Sequence, residues 1–283
     1  MHDVVRGGPE LVAFETKGWI VATDINRPLV VFVHGFTSHG RYLSEQAAYV
    51  HGHGYYSAYF NYDSYKGIDI GAKQLAERVA VCAKPIAEKG FVLIGHSMGG
   101  LVVRACANLF LNALTQHLRG VVLLGTPNKG TLPKILPRVI DWGDAISGID
   151  PYRRLPTCRA AKQLTLADSE KFVESLNTKE KKGKAPIPIL TVSGGLAWLE
   201  VGEKPGSFRD WLANRTIQKA LSAKPNDGLV VETSADLRDV LGRNTNRSHN
   251  NGYSGYDETN HTSLTKNQPI GDLIIAFLKK VGL

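Results

Sequence analysis

The stretch Phe91-Val-Leu-Ile-Gly95-His96-Ser97-Met98-Gly99-Gly100 decides the fold. Phe91 to Ile94 is an unbroken apolar run, as in strands buried on both faces of a parallel sheet. Gly-x-Ser-x-Gly follows, and then a long apolar helix pattern from Met98 to Leu114. A serine on a sharp strand-to-helix turn is forced into a strained backbone conformation. A side chain at either flanking glycine would collide with the neighbouring strand or helix. The turn lifts the Ser97 hydroxyl above the sheet and aims the helix N-terminus at it. That end carries partial positive charge and free N–H groups, which favour an oxyanion.

Working outward, strands alternate with helices. Leu11 to Phe14 and Trp19 to Ala22 are short strand candidates around a Lys17-Gly18 turn. Pro28 to Val33, Tyr55 to Phe60, Val121 to Leu124 and Ile187 to Val192 are further strands. Leu75, Val79, Cys82 and Ile86 share one helical face, with Pro85 as a kink and Gly90 as a stop. Leu273, Ile274, Phe277 and Leu278 mark a C-terminal helix. This alternation predicts an α/β chain with a mostly parallel, doubly wound sheet.

Between Leu124 and Ile187 the rhythm stops for about sixty residues, too long for a structureless loop in one domain. Residues 128–185 are read as an inserted helical cap on a single domain spanning 1–283. An ordinary run of helices covering the sheet fits the same pattern. Trp142, Ile146 and Ile149 are its apolar candidates for facing a substrate.

At 283 residues, 43% hydrophobic and 21% charged, the chain can bury a sizeable core, and a disordered, collagen-like or coiled-coil protein is excluded. The net charge of +8 comes from scattered basic residues, and no nucleic-acid module is apparent. The one dense run, Lys179 to Lys184, reads as a solvated linker. Cys82, Cys106 and Cys158 are too few and of odd number for a disulfide framework. No apolar run approaches a bilayer's thickness. Met1 to Pro9 lacks the apolar core of a secretory leader, so the chain as given is expected to be cytoplasmic or otherwise soluble.

A second element is His34-Gly35-Phe36, directly after the Pro28 to Val33 strand. An oxyanion hole needs a second backbone N–H from a loop facing the serine. Phe36 is the candidate for that donor and Met98 for the first.

With Gly125-Thr126-Pro127 after the next strand, these elements resemble the α/β-hydrolase superfamily, and more closely bacterial lipases and esterases. The Gly-His-Ser-x-Gly-Gly elbow of those proteins is complete at 95–100. The resemblance covers about 28–130 and 187–265 and thins in the cap. It implies an acid and then a histidine after Ser97, in that order. Asn226-Asp227-Gly228-Leu229-Val230 matches the segment that holds the acid in such lipases. It is also an ordinary turn sequence, with Glu232, Asp236 and Asp257 as rivals. Of nine histidines, His249 and His261 lie after Asp227. His261, just before the final helix, stands where the family places its base, whereas His249 sits in a polar stretch that reads as solvated. His51 and His53 suggest a metal pair, but no carboxylate or cysteine cluster accompanies them.

The resemblance implies a serine hydrolase of carboxylic esters, most naturally acylglycerols or similar lipid esters. Ser97, Asp227 and His261 would be its triad, with no cofactor. Beyond the ester or lipid substrate, and transient contact with a lipid interface, no partner is implied and no oligomeric state is indicated. Acyl transfer by the same triad and a silent binding module are the alternatives on this fold.

No metal is expected either. Some similar lipases hold calcium near the catalytic histidine through a carboxylate shortly after it. Here Thr262 to Gly271 contains no Asp or Glu, and neutral oxygens alone bind calcium weakly. EDTA should therefore leave activity and melting temperature unchanged, and a fall in either that added calcium restores would refute this.

Overall fold

Seven strands, β1 (Glu10–Ala13), β2 (Leu29–Val33), β3 (Tyr56–Asn61), β4 (Phe91–His96), β5 (Leu118–Leu124), β6 (Ile189–Gly194) and β7 (Asn251–Tyr256), form one sheet in the order β1-β3-β2-β4-β5-β6-β7. All neighbours are parallel except β1, which runs antiparallel to β3 on one edge. The computed structural model describes residues 8–18, 25–131, 158–165, 171–182, 187–199, 224–241 and 251–283. It also describes residues 211, 214, 215, 218, 219 and 221. The expected strand Trp19 to Ala22 lies outside them.

The unbroken apolar runs follow from helices on both faces. Leu29, Val31 and Val33 of β2 point into one core layer, together with Phe91 and Leu93 of β4. Val30 and Phe32 point into the other with Val92 and Ile94. Each such side chain, fully buried, contributes about 1.5–3 kcal/mol, so register is strongly specified along the central strands.

The first layer is covered by α2 (Ile68–Ala80), α3 (Ala83–Lys89) and α4 (Met98–Leu109). The opposite face holds α1 (Ser44–Gly52), which packs on the C-terminal helix, Gln268–Lys280. The single kinked helix expected around Pro85 is two helices. The Pro85 ring excludes the carbonyl four residues earlier, so the chain tightens at Val81-Cys82 and restarts with Pro85 in the first turn of α3, where its missing N–H costs nothing. Leu75, Val79, Cys82 and Ile86 still face one core. The helix expected to reach Leu114 ends at Leu109, and Asn112–His117 is a 3-10 helix entered through Asn112 at φ 48°. β7 was not expected: its sequence, Asn-Gly-Tyr-Ser-Gly-Tyr, has no apolar run, and it forms by pairing with β6.

Of residues 128–185, the described parts include two helices, α5 (Arg159–Leu164) and α6 (Phe172–Lys182). Both join the first layer: the Gln163 side chain accepts from the Ile68 amide, and α6 packs on α4. Trp142, Ile146 and Ile149 lie outside the described residues. The basic run read as a linker is, up to Lys182, the end of α6, and Glu180 within it turns inward to Arg104 of α4. The run scans as polar, but a helix end presents only some of its residues to water.

Arg104 is fully buried. Its Nε donates to both Glu180 carboxylate oxygens at 3.1 Å, and its Nη2 also bonds Glu180. Nη1 donates to the Asn128 side chain at 3.2 Å, and Asn128 in turn donates to the Ala235 carbonyl at 2.6 Å. One guanidinium thus ties α4 to α6, to the loop after β5 and to the segment after Val230. Glu180→Ala should destabilise the chain by about 3–5 kcal/mol, since it leaves a buried charge unpaired. Arg104→Met with Glu180→Leu should recover most of that loss. Urea unfolding midpoints at constant slope measure both.

Candidate active site

The carboxyl ends of β2, β4, β5 and β6 converge beside the point where the chain, having run from β2 to β3 on one side, returns to β4 on the other. Open parallel sheets place their binding crevice at such a reversal. Ser97 ends β4 there, at φ 54° and ψ −129°, with its amide donating to the Leu124 carbonyl at 2.8 Å. The positive φ is the strain expected of the elbow.

Crowding explains the elbow's glycines. A Cβ on Gly95 would meet the Gly100 Cα at 2.4 Å, and one on Gly99 would meet the Val33 carbonyl oxygen at 2.3 Å. One on Gly100 would fall 1.9 Å from the Thr126 hydroxyl, so the Gly-Thr-Pro turn after β5 packs on the elbow helix. Gly35 lies against the serine itself, since its Cβ would stand 2.9 Å from Ser97 Cβ.

Asp227 is fully buried, and its two oxygens have separate tasks. Oδ1 accepts from the Leu229 and Val230 amides at 3.0 and 2.8 Å. Oδ2 accepts from His261 Nδ1 at 2.8 Å. The backbones join too, with the His261 amide on the Asp227 carbonyl at 2.7 Å. Among the acid's rivals, Asp236 is paired with Arg238 at 2.8 Å and Asp257 is exposed. His249 lies outside the described residues.

The His261 loop is held by its own polar groups. The Asn260 side chain accepts from the Thr262 and Ser263 amides at 3.1 and 2.9 Å, and Asn267 donates to the Thr259 hydroxyl at 3.3 Å. Leu264 and Ile270 are fully buried beneath it. His96 closes the assembly: its Nε2 donates to the His261 carbonyl at 2.9 Å, and the two rings stand 4.7 Å apart. Desolvation, followed by the nearby His261, lowers the His96 pKa to about 3, so it stays neutral beside the other imidazole.

Phe36 and Met98, the expected oxyanion donors, lie on the loop after β2 and at the first turn of α4. Both are buried, and neither amide is engaged by another described residue. Residues 34–36, 97–98, 227 and 261 are therefore gathered at one end of the sheet. Sequence reading assigned no role to His96, His34 or Arg104. The legible signal for Arg104 was a lone charge inside an otherwise apolar helix pattern. Among the described residues, no three His, Cys, Asp or Glu side chains group as a metal site.

A model of the alpha/beta hydrolase family matches residues 30–264. The mature Bacillus licheniformis lipase BlEst2 aligns with TM-score 0.60 at 19% identity, over 91% of this chain and 93% of that one. The product of the Listeria innocua gene lin2722 aligns at 0.55 and 15% identity, over 90% and 95%. A membrane phospholipase A aligns at 0.51 and 15% identity, over 90% and 79%. At such identities the likeness is one of fold. An uncharacterized protein of Saccharomyces cerevisiae is 37% identical over 88 residues, which are 31% of this chain and 12% of the yeast protein's length.

Gly125, at φ 55°, offers a sharp test of the site. A Cβ there would lie 2.9 Å from Asp227 Oδ2, from His261 Nδ1 and from Leu264 Cδ1. Gly125→Ala should lower hydrolase turnover at least about 100-fold by displacing the pair, on the scale of small misplacements in active sites. Its circular dichroism spectrum should stay that of the wild type. Turnover of purified, folded variant checks this.

Proposed function

The chain belongs to the alpha/beta hydrolase family, and from that premise we propose that it is a serine hydrolase of carboxylic esters, acting on lipid or acylglycerol esters. One observation carries the reading: the buried Asp227 Oδ2 holds His261 Nδ1 at 2.8 Å, at the end of the sheet where Ser97 stands strained at φ 54°. An imidazole whose Nδ1 proton is held by a carboxylate presents Nε2 as a base. His261 takes the Ser97 proton, and Ser97 attacks the carbonyl carbon. The Phe36 and Met98 amides stabilise the oxyanion, at the positive end of α4. The tetrahedral intermediate collapses to an acyl-enzyme as His261 returns the proton to the leaving alcohol. Water activated by His261 then releases the acid.

The lipid preference draws on the lipase and phospholipase names among the structural likenesses. Among the described residues no helix is long and apolar enough to cross a membrane, so contact with lipid would be at an interface. A panel of p-nitrophenyl esters from acetyl to palmitoyl tests the substrate class, and a maximum among the long chains supports it.

Ser97→Ala should leave less than about a thousandth of wild-type turnover with the fold intact, as should His261→Ala, while His249→Ala should be near neutral. Asp227→Asn should lower turnover by about four orders of magnitude, because the amide can donate to the imidazole and hold the wrong tautomer. A fluorophosphonate probe should label wild type and fail on Ser97→Ala and His261→Ala. A wild type that is never labelled would point instead to a binding module.

A further inference from the structure

His34 stands two residues before the expected oxyanion donor and is 1% exposed. Its Nδ1 bonds the Gly35 carbonyl oxygen at 2.8 Å. Its Nε2 lies 3.4 Å from the Tyr62 nitrogen and accepts that N–H. These two partners fix the tautomer: a carbonyl needs a proton on Nδ1, and an amide donor needs a bare Nε2. Tyr62 completes the clamp, with its hydroxyl donating to the His34 carbonyl at 3.0 Å and its ring stacked on the imidazole at 4.5 Å. Burial, the largest influence, lowers the His34 pKa to about 3, so the arrangement persists at working pH.

The bond to Gly35 matters because of where that oxygen sits. The Gly35 carbonyl and the Phe36 N–H belong to one peptide plane, and in a trans peptide they point in opposite directions. Whatever holds the oxygen aims the hydrogen. Gly35 packs against Ser97, since a Cβ on it would lie 3.4 Å from Ser97 Oγ.

We propose that His34 is a positioning residue of the oxyanion site: its Nδ1–H, held on the Gly35 carbonyl, turns the Gly35–Phe36 peptide so that the Phe36 N–H faces the oxygen that becomes charged over Ser97. The proposal rests on the ester-hydrolase reading for its consequence and on peptide geometry for its cause. Removing the donor lets the peptide rotate, which weakens binding of the charged oxygen and leaves binding of the neutral ester little changed.

The experiment compares His34→Leu, His34→Asn and His34→Gln. The Asn side-chain nitrogen takes the place of Nδ1, and that of Gln takes the place of Nε2. Measured are kcat and KM on a p-nitrophenyl ester, affinity for a trifluoromethyl ketone whose adduct with serine carries an oxyanion, melting temperature, and a crystal structure of each variant. His34→Leu should lose about 100-fold in kcat with KM within about threefold, and ketone affinity should fall in parallel. His34→Asn should recover to within about tenfold of wild type, and His34→Gln should resemble Leu. Equal losses in Asn and Gln, or losses that follow melting temperature alone, would overturn the proposal. If His34→Leu does not fold, the Asn and Gln pair decides. If wild type turns over no ester, the hydrolase reading fails, and the crystal structures decide the rest. A peptide held in Asn and rotated in Gln supports the positioning role, and the same orientation in both refutes it.

Discussion

Three backbone segments meet at Ser97 more closely than side chains allow, and the site is built around that contact. The Ser97 amide is bonded to the Leu124 carbonyl, so the turn is anchored to β5 and leaves its strand at a fixed place. Gly95, Gly99 and Gly100 then let α4 descend against β2 and the Thr126 turn. A serine at positive φ costs of order 1–3 kcal/mol and persists where its surroundings over-determine it. Here they do, because α4 is buried from Met98 to Ala107 and cannot swing away without opening the first core layer.

The same crowding sets the electrostatics. Nine histidines are present, and the three around Ser97 have distinct environments. His261 meets a carboxylate, Asp227 Oδ2, at 2.8 Å. His34 and His96 meet backbone carbonyls in desolvated surroundings and are held neutral, near 3. As neutral donors they bond backbone carbonyls of two loops, one that carries Phe36 and one that carries His261.

Arg104 plays a comparable part at longer range. Its partners come from α6, from the loop after β5 and, through Asn128, from the segment that follows Asp227. An ion pair this deep is weak evidence for stability, because desolvating both charges costs as much as the pairing returns. What it supplies is a single arrangement of pieces far apart in sequence, between which lie the serine helix and the acid's turn.

The sequence by itself determined the parallel sheet, the elbow and the order of its elements, because these rest on local constraints. A strand buried on both faces must be apolar throughout, and a turn pressed against two neighbours must be glycine. Ser97 and His34 to Phe36 were legible in that way, whereas the Asn-Asp-Gly turn was singled out only by resemblance to lipases. Tertiary structure alone decided that Asp227, 34 residues before His261, is the carboxylate on its imidazole, since a bond across that separation leaves no local pattern. It decided β7, whose Gly-rich sequence has no apolar run and which pairs with β6 along its whole length. It decided that Glu180 in a basic run faces inward, because the cation it meets lies 76 residues away on another helix. Periodicity and turn chemistry report what a residue needs from its immediate neighbours. A buried polar group declares its partner only once the chain has brought the two together.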